Sequence, residues 1–337
     1  MPPPGDTTSI AAVTDTDVWS VGFGLQNGTN MVLTQHWDGI AWNTVPAELP
    51  TDPFSFFQGV TALSSRNVWA VGYSLDQDGV SFSNLIEHWD GTSWQIVPSP
   101  NVDLRSNSLV AIAAVSSNDI WAAGYTNTIS GAPQLLPLAL HWDGTAWAIV
   151  PTPRTSGGAL LALKAFSSND VWAVGEDLAS SGHTVTSTTY ILHWDGTLWT
   201  VVPSPNNPVA VNVLLSVSGV ASNDLWAVGF AGASFVDNGA LALHWDGSTW
   251  TIVPTAPTSG ADPLSAVVAV KPGNVWAVGT VDGMPLTERW NGSAWSVFPT
   301  PPVEPGAGLV AISRSRSGSL WASGYQGSDE LFLKLAR

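Results

Sequence analysis

Tryptophan recurs in this chain at nearly fixed intervals, and that recurrence limits the possible fold more than any other feature. A Val-Trp pair or its equivalent brings Trp19, Trp69, Trp121, Trp172, Trp226, Trp276 and Trp321, spaced 50, 52, 51, 54, 50 and 45 residues apart. A second motif follows in six of the units: Trp37/Trp42, Trp89/Trp94, Trp142/Trp147, Trp194/Trp199, Trp245/Trp250 and Trp290/Trp295. These positions hold all 19 tryptophans. Periods of this size belong to repeat architectures, in which each unit buries its apolar surface only against its neighbours.

Each unit reads as four short strands. In the third unit they are "LVAIAAVS" (109–116), "IWAAGY" (120–125), "LLPLALHW" (135–142) and "WAIVP" (147–151). "SSND" (116–119) and "DGT" (143–145) are tight turns between them. The first three strands are apolar on both alternations, which fits sheets covered on both faces. Four antiparallel strands repeated seven times predict an all-β fold, a seven-bladed β-propeller. The blades fall approximately at 9–50, 58–101, 108–152, 159–205, 213–256, 264–301 and 308–337 of one domain. Small residues suit a crowded axis, so the first strand is placed innermost and the tryptophans further out.

The third strand ending in Trp-Asp, as in "HWDGTAW" (141–147), resembles WD-type propeller blades and the Trp-rich blades of bacterial propeller proteins of unassigned function. The resemblance covers nearly the whole chain, but the Gly-His dipeptide of WD blades, the Gly-Gly of kelch blades and the Asp-box spacing of sialidases are missing. It implies the fold and no single activity, since propellers host binding modules and unrelated enzymes alike. In WD-type rings the N-terminus supplies the outer strand of the last blade. Here "LFLKLAR" (331–337) lines up with a third strand, and only residues 1–4 precede the first one. The seventh blade is therefore expected to have three strands, or a short fourth from Pro2–Pro4.

Composition narrows the partners. Ten Lys and Arg face 26 Asp and Glu, a formal net charge of −16, and no basic cluster is visible in the sequence. That argues against nucleic acid and anionic membranes. With no cysteine there is no disulfide, thiolate metal site or Cys nucleophile. No apolar run approaches the length of a membrane span. Low charge with abundant Ser and Thr leans towards an extracellular or cell-surface bacterial protein, although "MPPPGDTTS" shows no signal-peptide pattern.

Strand direction sorts the connections into two faces. Turns between strands one and two, and between three and four, share one face and are short and nearly identical. The other face carries loops of differing length, such as "SLDQDGVSFSN" (74–84) and "EDLASSGHTVTSTT" (176–189). Variable loops on a rigid scaffold are where function is expected.

The repeated His-Trp-Asp-Gly is read as architecture. Its His36, His88, His141, His193 and His244 give way to Arg289, its Asp gives way to Asn291, and blades that fan outward do not bring such side chains together. "DQDG" (76–79) opens like a calcium loop, but Val80 and Ser81 stand where that loop needs a ligand and a glycine. The candidates for ligand contact lie on the variable face. After the second-strand glycine come Phe23, Tyr73, Tyr125, Glu176, Phe230, Thr280 and Tyr325, an aromatic column with one carboxylate. His183 lies in the loop of blade four near Glu176 and Asp177, and Arg105 and Arg154 are cations suited to a carboxylate. No catalytic set, metal site or cofactor motif emerges. The leading expectation is a non-catalytic propeller that binds a protein or glycan through this face. The rival is a polysaccharide hydrolase or lyase using Glu176, Asp177 and His183 near the axis. A third is self-association through the unpaired edge of blade seven.

Overall fold

The computed structural model describes residues 5–26, 29–50, 54–76, 79–103, 105–128, 134–153, 155–181, 184–258 and 262–335. They form six four-stranded antiparallel sheets and one of three strands, each in simple chain order, with no helix among the described residues. The chain is a seven-bladed β-propeller. The first strands of the blades are Gly5–Thr14, Ser55–Ser64, Arg105–Ser116, Gly158–Ser167, Val211–Ala221, Leu264–Lys271 and Ala307–Arg314. Residues from all seven line one axial cavity of about 360 Å³, so the first strand is innermost. The seventh blade ends on its third strand, Asp329–Leu335. Pro2–Pro4 lie outside the described residues.

One bulge recurs in every inner strand. Pairing skips Thr8, Gln58, Val110, Leu161, Leu215, Ser265 and Val310, the same place in each blade. A bulge re-aims its side chain, and all seven of these residues line the axial cavity. The bulge also presses the inner strand's carbonyl against the second strand. A β-carbon on Gly72 would lie 1.9 Å from the carbonyl oxygen of Phe56, and on Gly175 2.0 Å from that of Ala159. The same clash recurs in the other five blades, which is why the second-strand motif always ends in glycine.

The core is a set of seams between blades. Trp69 of blade two packs on Trp142 and Trp147 of blade three, with ring centroids 5.2 and 5.9 Å away. Trp121 meets Trp194 and Trp199 of blade four in the same way. Each tryptophan buries roughly 150–250 Å², so a repeated three-indole cluster fixes both the period and the ring. The third-strand indoles donate to turn carbonyls of their own blade, as Trp142 Nε1 does to Ser117 (3.2 Å).

The motif histidines belong to these clusters. His141 stacks against Trp121 at 4.5 Å, and its Nε2 donates to Asp119 of the adjacent turn at 2.8 Å. The same pair forms between His36 and Asp17, His193 and Asp170, and His244 and Asp224. In blade six Arg289 lies over Trp276 and donates to Asn274. The repeated His therefore ties each third strand to the residue that opens the second strand of the same blade.

Two seams differ from the rest. At the sixth, blade seven brings Leu335 to the third-strand tryptophan position and has no fourth strand among the described residues, so the tryptophan pair is replaced. Trp276 meets instead the ring of Phe298 at 4.7 Å, in a place where the other blades have Val45, Val97, Val150, Val202 and Val253. The ring-closing seam keeps the indole cluster, with Trp321 5.7 Å from Trp37 and 6.3 Å from Trp42, and adds polar bonds across it. Gln35 Nε2 donates to Glu330 at 2.6 Å, and the Thr7 hydroxyl donates to that of Ser323 at 3.3 Å. The blade-seven turn, Ser315–Ser319, is longer than its counterparts and places three serine hydroxyls on Asp15 of blade one. The turn face is thus uniform in six blades and departs from uniformity in the seventh.

Candidate binding face

The connections from second to third strands, and from each blade to the next, gather on the face opposite these turns. They run from the tight Gln26–Thr29 link to the wider Leu75–Phe82 link, and blade four raises a long hairpin from Asp170–Ser181 and Thr184–Trp194. Hairpin tips on this face expose apolar side chains: Leu25, Val80, Val185, Phe235, Val236 and Met284, with Val236 87% exposed. Exposed acids alternate with them, namely Asp6, Asp103, Asp237, Asp282, Glu304 and Asp329. Arg105 is the one cation on this face among the described residues. Arg66, Lys164, Lys271, Arg289, Arg314, Arg316 and Lys334 all lie towards the turn face.

The aromatic column divides into parts. Phe23 meets Phe56 edge-on at 4.7 Å, and Phe56 stacks on Tyr73 at 5.1 Å. Phe54 and Phe82 complete the group, 5.0 Å from Phe56 and 5.2 Å from Tyr73. Blades one and two thus share a five-ring shelf, of which the column names only Phe23 and Tyr73. The signal for Phe54 and Phe56 was the run "FSFF" (54–57), which no other inner strand carries. The Tyr73 hydroxyl hydrogen-bonds Gln58 and lies near that of Tyr125, and burial pushes its phenol above the ordinary value. Gln58 also lines the mouth of the channel, where Tyr325, Asp6, Thr7, Thr8 and Val310 border an open cavity of about 530 Å³. Tyr325 thus borders this opening, Tyr73 is tied to it through Gln58, and Tyr125 lies next to Tyr73. Phe230 stands apart, touching Phe235 of its own hairpin at 6.3 Å.

The acids of blade four do not converge. Glu176 and Asp177 are strand neighbours, so their side chains leave opposite faces of the sheet. Glu176 lies 2.8 Å from the Ser187 hydroxyl, which also lies 2.8 Å from the Asn212 carbonyl of blade five. Asp177 accepts from the Gly157 amide at 3.5 Å, beside Tyr190. Burial raises the pKa of both carboxyls. Arg105 donates to the Gln134 carbonyl at 3.3 Å and lines a flank cavity of about 420 Å³ with Thr152 and Pro153, away from the axis. His183 and Arg154 lie outside the described residues. No group of three or more His, Cys, Asp or Glu is placed to hold a metal ion among the described residues.

Solved structures share this architecture over almost the whole chain. The chain resembles a structure described as YCF48 bound to D1 peptide, with a TM-score of 0.62 and 16% identity over 100% of this chain and 95% of that one. It is similar to U3-55K, at a TM-score of 0.60 and 11% identity over 95% and 88%. It is also similar to a streptogramin B lyase, at 0.60 and 16% over 99% and 95%. Likenesses at these identities carry the fold alone. No family model matches the chain, and no curated protein matches it. No helix among the described residues is long and apolar enough to cross a membrane.

Proposed function

We propose that this chain is a binding propeller that takes up a polypeptide segment with basic and apolar residues on its loop face. The observation that carries the reading is the pairing of exposed aliphatic hairpin tips with exposed acids on the face whose loops vary. Apolar anchors within a polar rim are the anatomy of protein interfaces. The acids supply steering towards a cationic partner. The structural neighbour described as bound to a peptide is a propeller of the same size, which supports the choice of polypeptide. Tyr73, Tyr125 and Tyr325, at and beside the channel mouth, are the proposed anchor sites. Phe23 lies beside Tyr73 on the aromatic shelf, and Phe230, Glu176 and Arg105 are proposed as outlying contacts on the same face.

The divergence of Glu176 from Asp177 weighs against glycoside hydrolysis by this pair, which needs two carboxyls facing one bond. Neither a glycan nor self-association through blade seven is favoured by a specific observation of this kind. Panning a random peptide display library on the immobilised chain tests the reading. Enriched peptides should carry Lys or Arg beside apolar residues and should bind the Tyr73→Ala, Tyr125→Ala double variant at least tenfold more weakly, which is about 1.4 kcal/mol. Absence of enrichment, or peptides indifferent to both substitutions, would overturn it.

A further inference from the structure

The repeat provides an internal reference for every position in the inner strands, and two neighbouring columns break it in the same place. Opposite the second-strand tryptophans stand Ala11, Thr61, Ala113, Ser218, Val268 and Ser313, but Lys164 in blade four. One position later stand Ala12, Ala62, Ala114, Ala165, Gly219 and Ala269, but Arg314 in blade seven. Both cations line the same cavity of about 400 Å³, at the turn-face end of the axial channel. Serine hydroxyls from Ser218 and Ser313 line it too, and no carboxylate does.

Further departures support Lys164. Phe166 takes a place held by Val13, Leu63, Val115, Val220 and Val270, and its ring lies 5.0 Å from the Lys164 ammonium. A β-carbon on Gly219 of blade five would meet the Asp224 carbonyl at 2.7 Å, Leu225 Cγ at 2.9 Å and Phe166 Cζ at 3.0 Å, so the glycine also leaves room for that ring. Lys164 is half-buried, and desolvation lowers its pKa. Arg314 donates to the Val270 carbonyl of blade six at 3.1 Å, and Arg316 reaches across to the Leu63 carbonyl of blade two at 2.6 Å. Among the described residues, no carboxylate comes within 4.0 Å of any of the three. An acidic chain has thus placed uncompensated cations at one opening.

We propose that this opening is a binding site for a small oxyanion, in which Lys164 and Arg314 take a carboxylate or phosphate group and the serine hydroxyls of Ser218 and Ser313 donate to it. Arg presents a planar fork to such groups and Lys a point charge. The site is independent of the loop face.

Citrate and inorganic phosphate, titrated separately into the full chain by calorimetry at constant ionic strength, test it. Saturable binding of one or both is expected, and the stronger of the two identifies the group. Lys164→Ser and Arg314→Ala install residues that other blades carry at these positions, so the fold is expected to hold, and circular dichroism checks it. Each should weaken binding at least tenfold. Absence of saturable binding to the unaltered chain, or equal binding to the folded double variant, overturns the proposal.

Discussion

The carboxylate of Asp15, in blade one, lies 3.2 Å from the ammonium of Lys334, in blade seven. Lys334 occupies the place of the motif histidines and lies over Trp321 as they lie over their own tryptophans. Its carboxylate partner comes from the neighbouring blade, so the interaction that elsewhere braces one blade here closes the ring. Ser315, Ser317 and Ser319 donate to the same carboxylate and hold its pKa well below the usual range, with Ser317 first. The serines outweigh the ion pair, because Lys334 is partly exposed and such pairs contribute at most about 1 kcal/mol. Asp15→Ala is expected to lower stability by about 2 kcal/mol in urea denaturation, and Lys334→Met by less than half of that. Because the folded pKa is depressed, this stabilisation is present above about pH 3.9 and is lost as pH falls further.

Buried glutamates act in the opposite sense. Glu87 and Glu288 are fully buried at one third-strand position, where blades three to five carry Leu140, Leu192 and Leu243. Each accepts an amide from the preceding blade's linker, Glu48 and Ala256 respectively. Burial pushes Glu87 up to about 8 and Glu288 to about 7. A raised folded pKa gives stability that is complete below about pH 4.3 and lost as pH rises through 7 to 8. Thermal unfolding should therefore occur at a higher temperature at pH 5.5 than at pH 9, and Glu87→Gln with Glu288→Gln should reduce the difference.

Phe298→Val brings the sixth blade to the residue found in the other five. A consensus argument makes that substitution neutral or favourable. The sixth seam lacks the tryptophan pair that fills the others, so removing the ring leaves space beside Trp276. A loss of about 1–2 kcal/mol is expected by chemical denaturation. Val253→Phe at the fifth seam, where Trp295 already fills the space, should destabilise by overpacking.

Much of the fold was legible because tryptophan spacing records the seam geometry directly. The inner strand was legible from its small residues, and the short last blade from the match of "LFLKLAR" to a third strand. The ring-closing contacts were not, since Asp15 and Ser315 lie 300 positions apart and carry no motif. Phe54, Phe56 and Phe82 were missed because only the second-strand column was compared. Lys164 and Arg314 stand at constant offsets before the second-strand tryptophans, so their columns were open to comparison in the sequence, but only their place at the channel opening gives them meaning. The reading of Glu176 and Asp177 as a pair overlooked that strand neighbours point apart.

The central claim is that the loop face, rather than the uniform turn face, binds the partner. Hydrogen exchange by mass spectrometry, with and without the tightest peptide from display selection, measures this directly. The account predicts slowed exchange in the Leu75–Phe82 link, in the blade-four hairpin and around Tyr73 and Tyr125. The turns at Asp143 and Asp195 should exchange unchanged. Protection confined to those turns, with the loop face unaffected, would contradict it.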